Sequence, residues 1–391
     1  MLNSTFSPWP CFTEEEAESI SRVLLSNKVN YWTGQECREF EKEFAEWSDC
    51  SYAITLANGT LALDVALKAI GIKAGDDVVT TPRTFLATAS SIVTAGAKPI
   101  FADVDLNSQN ITAATIKDVI TPNTKAVIVV HLAGMPAEMD EIMKLSEEYG
   151  FYVIEDCAQA HGAKYKGRSV GSIGHIGAWS FCQDKIMTTG GEGGMVTTND
   201  ELLWSSMWSY KDHGKNFDSI YNKEHPPGFR WVHDSFGTNW RMTEMQAAIG
   251  RIQLKLMDKW TKSRNENASF IDRVAGDFNV VRVLELPKDM IHAEYKHYLF
   301  VNEDQLAQGW TRDKIVSEIN SAGVPCFQGS CSEVYLEKAF ENTDYKPKKR
   351  LGNAKKLGET SLMFLVHPTL TKTEMLKTQE VLRNILVKAQ R

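Results

Sequence analysis

Between residues 51 and 210 short apolar segments alternate with longer amphipathic ones, and this rhythm constrains the fold more than any other feature of the 391-residue chain. Ser51–Leu56, Asp77–Thr81, Lys98–Asp103, Ala126–Val130, Phe151–Glu155, Ile176–Phe181 and Gly194–Thr198 have the length and side-chain types of strands. Helices are expected between them at Leu61–Ile70, stopped by Gly71, and at Thr84–Thr94, Met139–Tyr149 and Asp200–Tyr210. Two more precede the alternation: one begins at Thr13, where Glu16 completes a capping box, and the other spans Glu36–Trp47. The strands read as apolar runs rather than strict polar/apolar alternation, so both sheet faces must be covered. The expectation is an α/β fold with a mainly parallel central sheet covered by helices. From Met257 the pattern changes to helices, including Arg312–Ala322 and Thr373–Lys388, with a few strands such as Tyr298–Val301. The expected division is therefore 1–256, an N-terminal arm and large unit, and 257–391, a smaller α+β unit.

In such sheets ligands bind at the C-terminal strand ends, which directs attention to Asp156 and to the residues after Phe181. Asp156 ends a strand, Ser180 ends the next, and Lys185 follows five residues later, ahead of Gly190-Gly-Glu-Gly-Gly194. A lysine amine, a buried carboxylate and a hydroxyl are the parts that pyridoxal phosphate chemistry requires. The lysine forms a Schiff base with the aldehyde, and the carboxylate keeps the ring nitrogen protonated. The displaced lysine can then move a proton, so Lys185 is expected to be both anchor and base. Asn58-Gly59-Thr60 lies where a strand hands over to a helix, whose free N–H groups and dipole suit a phosphate. Phe85 can cover one ring face with Ala158 on the other, and Gln159 can reach the phenolic oxygen. Gly193 and Gly194 leave room for the lysine loop.

A formal net charge of −7 and the absence of long basic runs argue against a nucleic-acid surface; Lys346-Pro-Lys-Lys-Arg350 reads as a solvated connector. No stretch approaches the roughly 20 apolar residues of a membrane span, and the start lacks a signal-like pattern, so a cytoplasmic protein is expected. Seven scattered cysteines without a CxxC pair fit a reducing compartment, and no metal site is expected.

Ala57-Asn-Gly-Thr60, Thr84-Phe-Leu-Ala-Thr88, Ile154-Glu-Asp-Cys-Ala-Gln-Ala-His-Gly162, Ser180 with Lys185, Gly191-Glu-Gly-Gly194 and Gly237-Thr-Asn-Trp-Arg-Met242 together resemble, in order, the motif series of the DegT/StrS sugar aminotransferases. The resemblance implies a fold-type I homodimer with active sites at the subunit boundary. In it Gly59, Thr60 and Ser180 would hold the phosphate, with Asn239 supplied by the partner subunit, while Phe85, Asp156, Gln159 and Lys185 take the roles above. Trp32-Thr33-Gly34 matches a segment that approaches the site. Some relatives replace the lysine with histidine and act as dehydratases, so Lys185 favours transamination, with L-glutamate as the implied donor. A non-catalytic member would have lost Lys185 or Asp156, and neither is lost.

For the acceptor, the wording of Asn30–Cys37, Phe181–Gly191 and His225–Trp231 is most similar to family members that aminate the C8 aldehyde of 8-oxo-3-deoxy-manno-octulosonate. That reaction would give 8-amino-3,8-dideoxy-manno-octulosonate for lipopolysaccharide. Arg83 departs from the family pattern, and Arg83, Arg230 or Arg241 is expected to fork onto the carboxylate of such a sugar acid. The alternative acceptor is a nucleotide-linked 3- or 4-keto hexose, which has little need of Arg83.

Overall fold

The computed structural model describes residues 6–391. Strands β1 (Tyr52–Leu56), β2 (Asp77–Thr80), β3 (Lys98–Phe101), β4 (Thr124–Val130) and β5 (Tyr152–Asp156) are followed by the short pair β6 (Lys164–Tyr165) and β7 (Arg168–Ser169), then β8 (Ile176–Ser180) and β9 (Gly194–Thr198). The main sheet has the order β1-β9-β8-β5-β4-β2-β3. Its centre, β8-β5-β4-β2-β3, is parallel, whereas β9 runs antiparallel to both β8 and β1. The expected mainly parallel sheet is thus present, with one antiparallel strand, β9, between β1 and β8 that apolar runs alone do not distinguish.

Successive residues of β4 show why the sheet needs cover on both sides. Val127 and Val129 join one core with Met139, Ile142 and Leu145 of the Met139–Tyr149 helix. Ala126 and Ile128 point the other way, into a core with Leu63, Ala66 and Leu67. Those three belong to α3 (Gly59–Ala69), which follows α1 (Glu14–Leu25) and α2 (Glu36–Trp47); α4 (Leu86–Thr94) comes next. Ile128 is fully buried, and truncation to alanine would cost about 2–5 kcal/mol.

Helix starts follow local chemistry. Thr13 caps α1 and exchanges hydrogen bonds with Glu16, the expected capping box. Asn58 caps α3 by accepting from the Leu61 N–H, so this helix starts two residues before the apolar pattern suggests. Conversely α4 starts at Leu86, with Thr84 and Phe85 outside it.

Further along, β10 (Val281–Val283), β11 (Met290–Ile291), β12 (His297–Val301), β13 (Cys326–Phe327) and β14 (Ser361–Phe364) complete the strands. A second, antiparallel sheet has the order β10-β12-β14-β13, and β11 joins β6 and β7 in a small third sheet. Leu299, Leu362 and Phe364 of the second sheet pack with Ile271, Ile315, Leu382 and Leu386 from the helices Met257–Ala275, Arg312–Ser321 and Lys372–Ala389. Among the described residues no helix is long and apolar enough to cross a membrane.

One charged contact ties the Met257–Ala275 helix to β12. His297 bonds Asp272 at 2.9 Å through Nε2 and Glu294 at 3.1 Å through Nδ1. Burial alone would lower the imidazole pKa, but the carboxylates of Glu294 and Asp272 outweigh it and raise the value to about 10. Because the folded value lies above the unfolded one of about 6.5, this contribution is complete below the unfolded pKa and fades as pH rises toward the folded one. His297→Gln is expected to cost roughly 3–5 kcal/mol at pH 6, and the gap to wild type should narrow as the pH approaches 10. Urea melts across that range test this, and a gap independent of pH would refute it.

Candidate active site

The parallel register β4–β5–β8 builds the floor of the site. Val130 lies opposite Asp156, and Asp156 opposite Ala178, so the C-terminal ends of β5 and β8 sit side by side with Asp156 two residues in register from Ser180. Above them opens a cavity of about 690 Å³. Asn58, Gly59 and Thr60 wall it at one end, Thr84, Phe85 and Thr88 along one side, and Asp156, Ala158, Gln159, Ser180 and Lys185 along the floor. The sequence-predicted residues Gly59, Thr60, Phe85, Asp156, Gln159, Ser180 and Lys185 therefore converge on one space.

Asp156 is 6 % exposed. Its Oδ2 accepts from the Thr88 hydroxyl at 2.9 Å, and its Oδ1 accepts from the Ala158 N–H at 3.2 Å. Thr84 bonds Thr88 in turn at 2.8 Å. Burial raises the Asp156 carboxyl pKa, and the Ala158 N–H, the Thr88 hydroxyl and the charges of Lys185 and His131 only partly offset this. A carboxylate held this way, with no cation bonded to it among the described residues, is an electrostatic socket for a protonated ring nitrogen.

Gln159 has its amide oxygen engaged by the Ala133 N–H at 2.8 Å, which leaves its NH2 group as the free donor. Phe85 stands just before α4 and is 70 % exposed along the cavity wall, so it is not the core residue its position at a helix start would otherwise suggest. Lys185 is half-buried, with its N–H on the Cys182 carbonyl at 3.0 Å and its Nζ 5.2 Å from the centroid of the Tyr295 ring. The Tyr295 phenol donates to Asp184. Burial and the neighbouring Asp184 push that phenol far above the ordinary tyrosine range, so it stays protonated.

At the far end the close approach of α3 to β8 depends on glycine. A Cβ on Gly59 would lie 2.5 Å from the Ser180 Cβ, and one on Gly194 would lie 2.3 Å from the Asn58 carbonyl oxygen. The Asn58 side chain takes the Leu61 N–H, while among the described residues no hydrogen bond takes up those of Gly59 and Thr60 at the helix start. A helix N-terminus beside a serine hydroxyl is suited to a phosphate.

The four arginine and tryptophan candidates for substrate contact do not line this cavity in the single chain. Arg83 is fully buried behind the Ser330–Cys331 wall, and its guanidinium donates to Gln109 at 3.0 Å, Ser332 at 2.7 Å and Ser361 at 3.1 Å. These contacts join the loop after β2 to the second sheet, so the expected carboxylate fork is already committed to neutral oxygens. Arg241 is held by Asp212 at 2.6 Å, which also takes Lys215 at 2.9 Å. Trp32 is packed between aromatic neighbours, with Trp208 edge-on at 6.1 Å and the Lys215 ammonium 3.9 Å from its ring centroid. Arg230 is exposed on the segment that also exposes Phe229, Trp231 and Phe236, and Asn239 is exposed too.

Several lining residues escaped the sequence reading. Thr88 had a legible signal, because Thr84 and Thr88 are one helical turn apart beside a ligand-binding strand end. Asp184 and Glu192 flank the lysine loop in sequence, but Tyr295, Ser330 and Cys331 arrive from the second sheet and its loops with no local mark.

The sequence profile of the DegT/DnrJ/EryC1/StrS aminotransferases matches residues 10–383. The chain belongs to that family. It is similar to the aminotransferase from Psychrobacter cryohalolentis, whose crystal structure superposes with a TM-score of 0.97 at 60 % identity, covering 98 % of this chain and 99 % of that one. It is 38 % identical over 287 residues to the GDP-perosamine synthase of Escherichia coli O157:H7, covering 72 % of this chain and 74 % of the relative. It is also 32 % identical over 386 residues to the UDP-N-acetyl-3-dehydro-alpha-D-glucosamine 3-aminotransferase of Acidithiobacillus ferrooxidans, with 98 % and 96 % covered. The protein is thus a fold-type I aminotransferase that depends on pyridoxal 5′-phosphate. The cavity fits that cofactor, with a glycine-made gap at one end, an unpaired carboxylate at the floor and a lysine between them.

Gly59→Ala is expected to weaken both pyridoxal phosphate and inorganic phosphate by about tenfold or more, since the added methyl drives α3 away from Ser180. Binding titrations on the cofactor-free protein measure this, and undiminished affinity for both would remove the phosphate role from this helix start.

Proposed function

We propose that this aminotransferase takes an amino group from L-glutamate and delivers it to the carbonyl of a nucleotide-linked keto-sugar. The observation that carries the reading is the convergence of Lys185 and Asp156 on one cavity whose far end is the Gly59–Ser180 gap. Bound there, pyridoxal phosphate supplies an aldehyde that accepts amino groups and a ring that withdraws electrons. Gly59, Thr60 and Ser180 hold the phosphate, and Phe85 and Ala158 enclose the ring. Asp156 keeps a proton on the ring nitrogen, while Thr88 and the Ala158 N–H fix its two oxygens. The Gln159 NH2 group would donate to the ring oxygen, and Lys185 Nζ would move a proton off the donor's α-carbon in the first half of the reaction and onto the acceptor's carbonyl carbon in the second.

A homodimer with shared sites is part of this proposal. Among the described charged side chains lining the cavity Lys185 is the single cation, against Asp156, Asp184 and Glu192. A cofactor phosphate and a dicarboxylate donor require more positive or N–H donor groups than one chain supplies. The exposed Arg230, without an ion-pair partner among the described residues, and the exposed Asn239, Phe229, Trp231 and Phe236 support a segment that serves a second copy. Asn239 of the partner subunit then completes the phosphate site. The same reading divides the chain into a cofactor-binding unit, 1–256, and a smaller unit, 257–391. Its support is that the main sheet falls within residues 52–198 and the second within 281–364.

The names of the two curated relatives support a nucleotide-linked acceptor. The octulosonate acceptor and its lipopolysaccharide product come second. That reading keeps the wording of three segments and the exposed Arg230, but Arg83 is buried away from the cavity and Arg241 is held by Asp212.

Two variants and one substrate series test the proposal. Lys185→Ala should eliminate borohydride fixation of the cofactor, and fixation at another lysine would displace Lys185 from its role. Asp156→Asn should lower the half-reaction with glutamate by a factor on the order of a hundred or more. After conversion by glutamate, recovery of the original absorbance should be rapid with a GDP- or UDP-linked 3- or 4-keto sugar. Recovery with 8-oxo-octulosonate alone would keep the chemistry and replace the acceptor.

A further inference from the structure

The lysine loop is held from outside its own sheet by the segment that precedes α1. Trp9 donates its indole N–H to the main-chain carbonyl of Lys185 at 2.8 Å, a contact across 176 positions of sequence. The indole is itself fixed on several sides. Trp260 meets it edge-on at 5.1 Å, His367 stacks at 5.9 Å, and the fully buried Arg264 guanidinium lies 5.0 Å from its ring centroid. Its neighbours are pinned as well: the Pro8 carbonyl accepts from Thr369 at 2.7 Å, and Ser7 donates to Glu374 through both its N–H and its hydroxyl.

A second connection reaches the other end of the same loop. The Thr188 N–H donates to Gln253 at 2.8 Å, Gln253 donates to Glu16 at 2.7 Å, and Glu16 is held by the backbone N–H and hydroxyl of Thr13. Residues 182–188 are therefore clamped at two points by one stretch, Ser7–Glu16, that is anchored on the helices beneath the second sheet. Arg264 also bonds the Glu294 and Tyr295 carbonyls, and the Tyr295 ring faces the Lys185 amine. The same guanidinium thus supports both the group on the lysine's carbonyl and the ring beside its amine.

We infer that Trp9 is a positioning residue for Lys185, and that the reach of the amine into the cavity depends on the seating of residues 7–16. The physical reason is leverage. A lysine side chain has four rotatable bonds, so its amine is placed only as well as the main chain that carries it. Here one hydrogen bond from a rigid indole sets that main chain. The inference rests on the role given to Lys185 above. Mapping the borohydride-fixed peptide in the wild-type holoenzyme tests that role separately from anything Trp9 does.

Trp9→Phe keeps the ring and removes the donor. The expected result is a three- to tenfold fall in kcat for the glutamate half-reaction, with KM for glutamate within about twofold of wild type. Amide hydrogen exchange in residues 182–189 should also quicken in the cofactor-free protein. Trp9→His, which retains a ring N–H, should recover part of both effects. Wild-type kcat, or exchange in that segment unchanged while kcat falls, would overturn the inference. So would a rise in KM with kcat intact. Should Trp9→Phe not fold, Thr369→Val keeps the indole and its N–H but releases Pro8 and frees His367, the ring stacked on it. Faster exchange of residues 182–189 in that variant supports the clamp, and unchanged exchange counts against it.

Discussion

Everything at this site hangs on how Glu155 is buried. Each of its oxygens carries two hydrogen bonds: His131 Nε2 at 2.9 Å and the Gly171 N–H at 2.8 Å on one, the N–H groups of Ile173 and Gly174 at 2.8 and 2.6 Å on the other. Burial would raise this carboxyl pKa, but His131 and the Gly171 and Gly174 N–H groups outweigh it, so Glu155 stays ionised. The Ala137 N–H occupies His131 Nδ1. With Cys157 these residues form a buried His-Glu-Cys group of the kind that can hold a metal, yet the carboxylate lone pairs and the imidazole nitrogens are already engaged. The arrangement is a polar pillar that fixes the end of β5 against the turn leading into β8.

Asp156 is the next residue, and strand geometry sends its side chain to the opposite face. The two carboxylates share a backbone and a depth of burial but differ in how many donors meet them. Glu155 has four and is held below the usual carboxylate range, while Asp156 has two and is raised. One carboxylate is saturated and serves the fold. Its neighbour is left short of positive charge and is available to a cationic ring. Moving the register by one residue would exchange them, which is why the β4–β5–β8 pairing has to be fixed before the site exists.

What could be read from the sequence was whatever is decided locally. Strand ends, the strand-to-helix turn at Asn58–Thr60, the Thr13–Glu16 box and the spacing from Asp156 through Ser180 to Lys185 follow from a few consecutive residues, and the structure has them together. Arg83 and Arg241 have partners that no local pattern announces. Whether a guanidinium is free depends on which oxygens tertiary folding brings to it. Asp212, in a different segment, claims Arg241, and three neutral side chains up to 278 positions away claim Arg83. Trp32 likewise has its neighbours chosen by the packing of Trp208 and Tyr221. The antiparallel placement of β9 and the entry of Tyr295 into the cavity have no local signal either.

The second sheet therefore contributes more to the site than its distance in sequence suggests. The segment leading into its β12 supplies Tyr295 beside the lysine, and Ser361 of β14 with Ser332 of the loop after β13 receives Arg83 from the loop after β2. Its helices also carry Arg264, which stacks on Trp9. Both arginines lack a carboxylate hydrogen-bond partner among the described residues, and burial lowers the pKa of each. Two uncompensated guanidinium groups are costly to bury, and each lies under an aromatic ring, Tyr298 at 5.5 Å for Arg83 and Trp9 at 5.0 Å for Arg264. Five donors in a flat fork can bind loops from separate elements at once, which no apolar side chain of that volume can do. The cost of burying those charges is thus offset by order in two walls of the cavity, and that order is what an aminotransferase needs if its lysine is to meet a proton at a defined carbon.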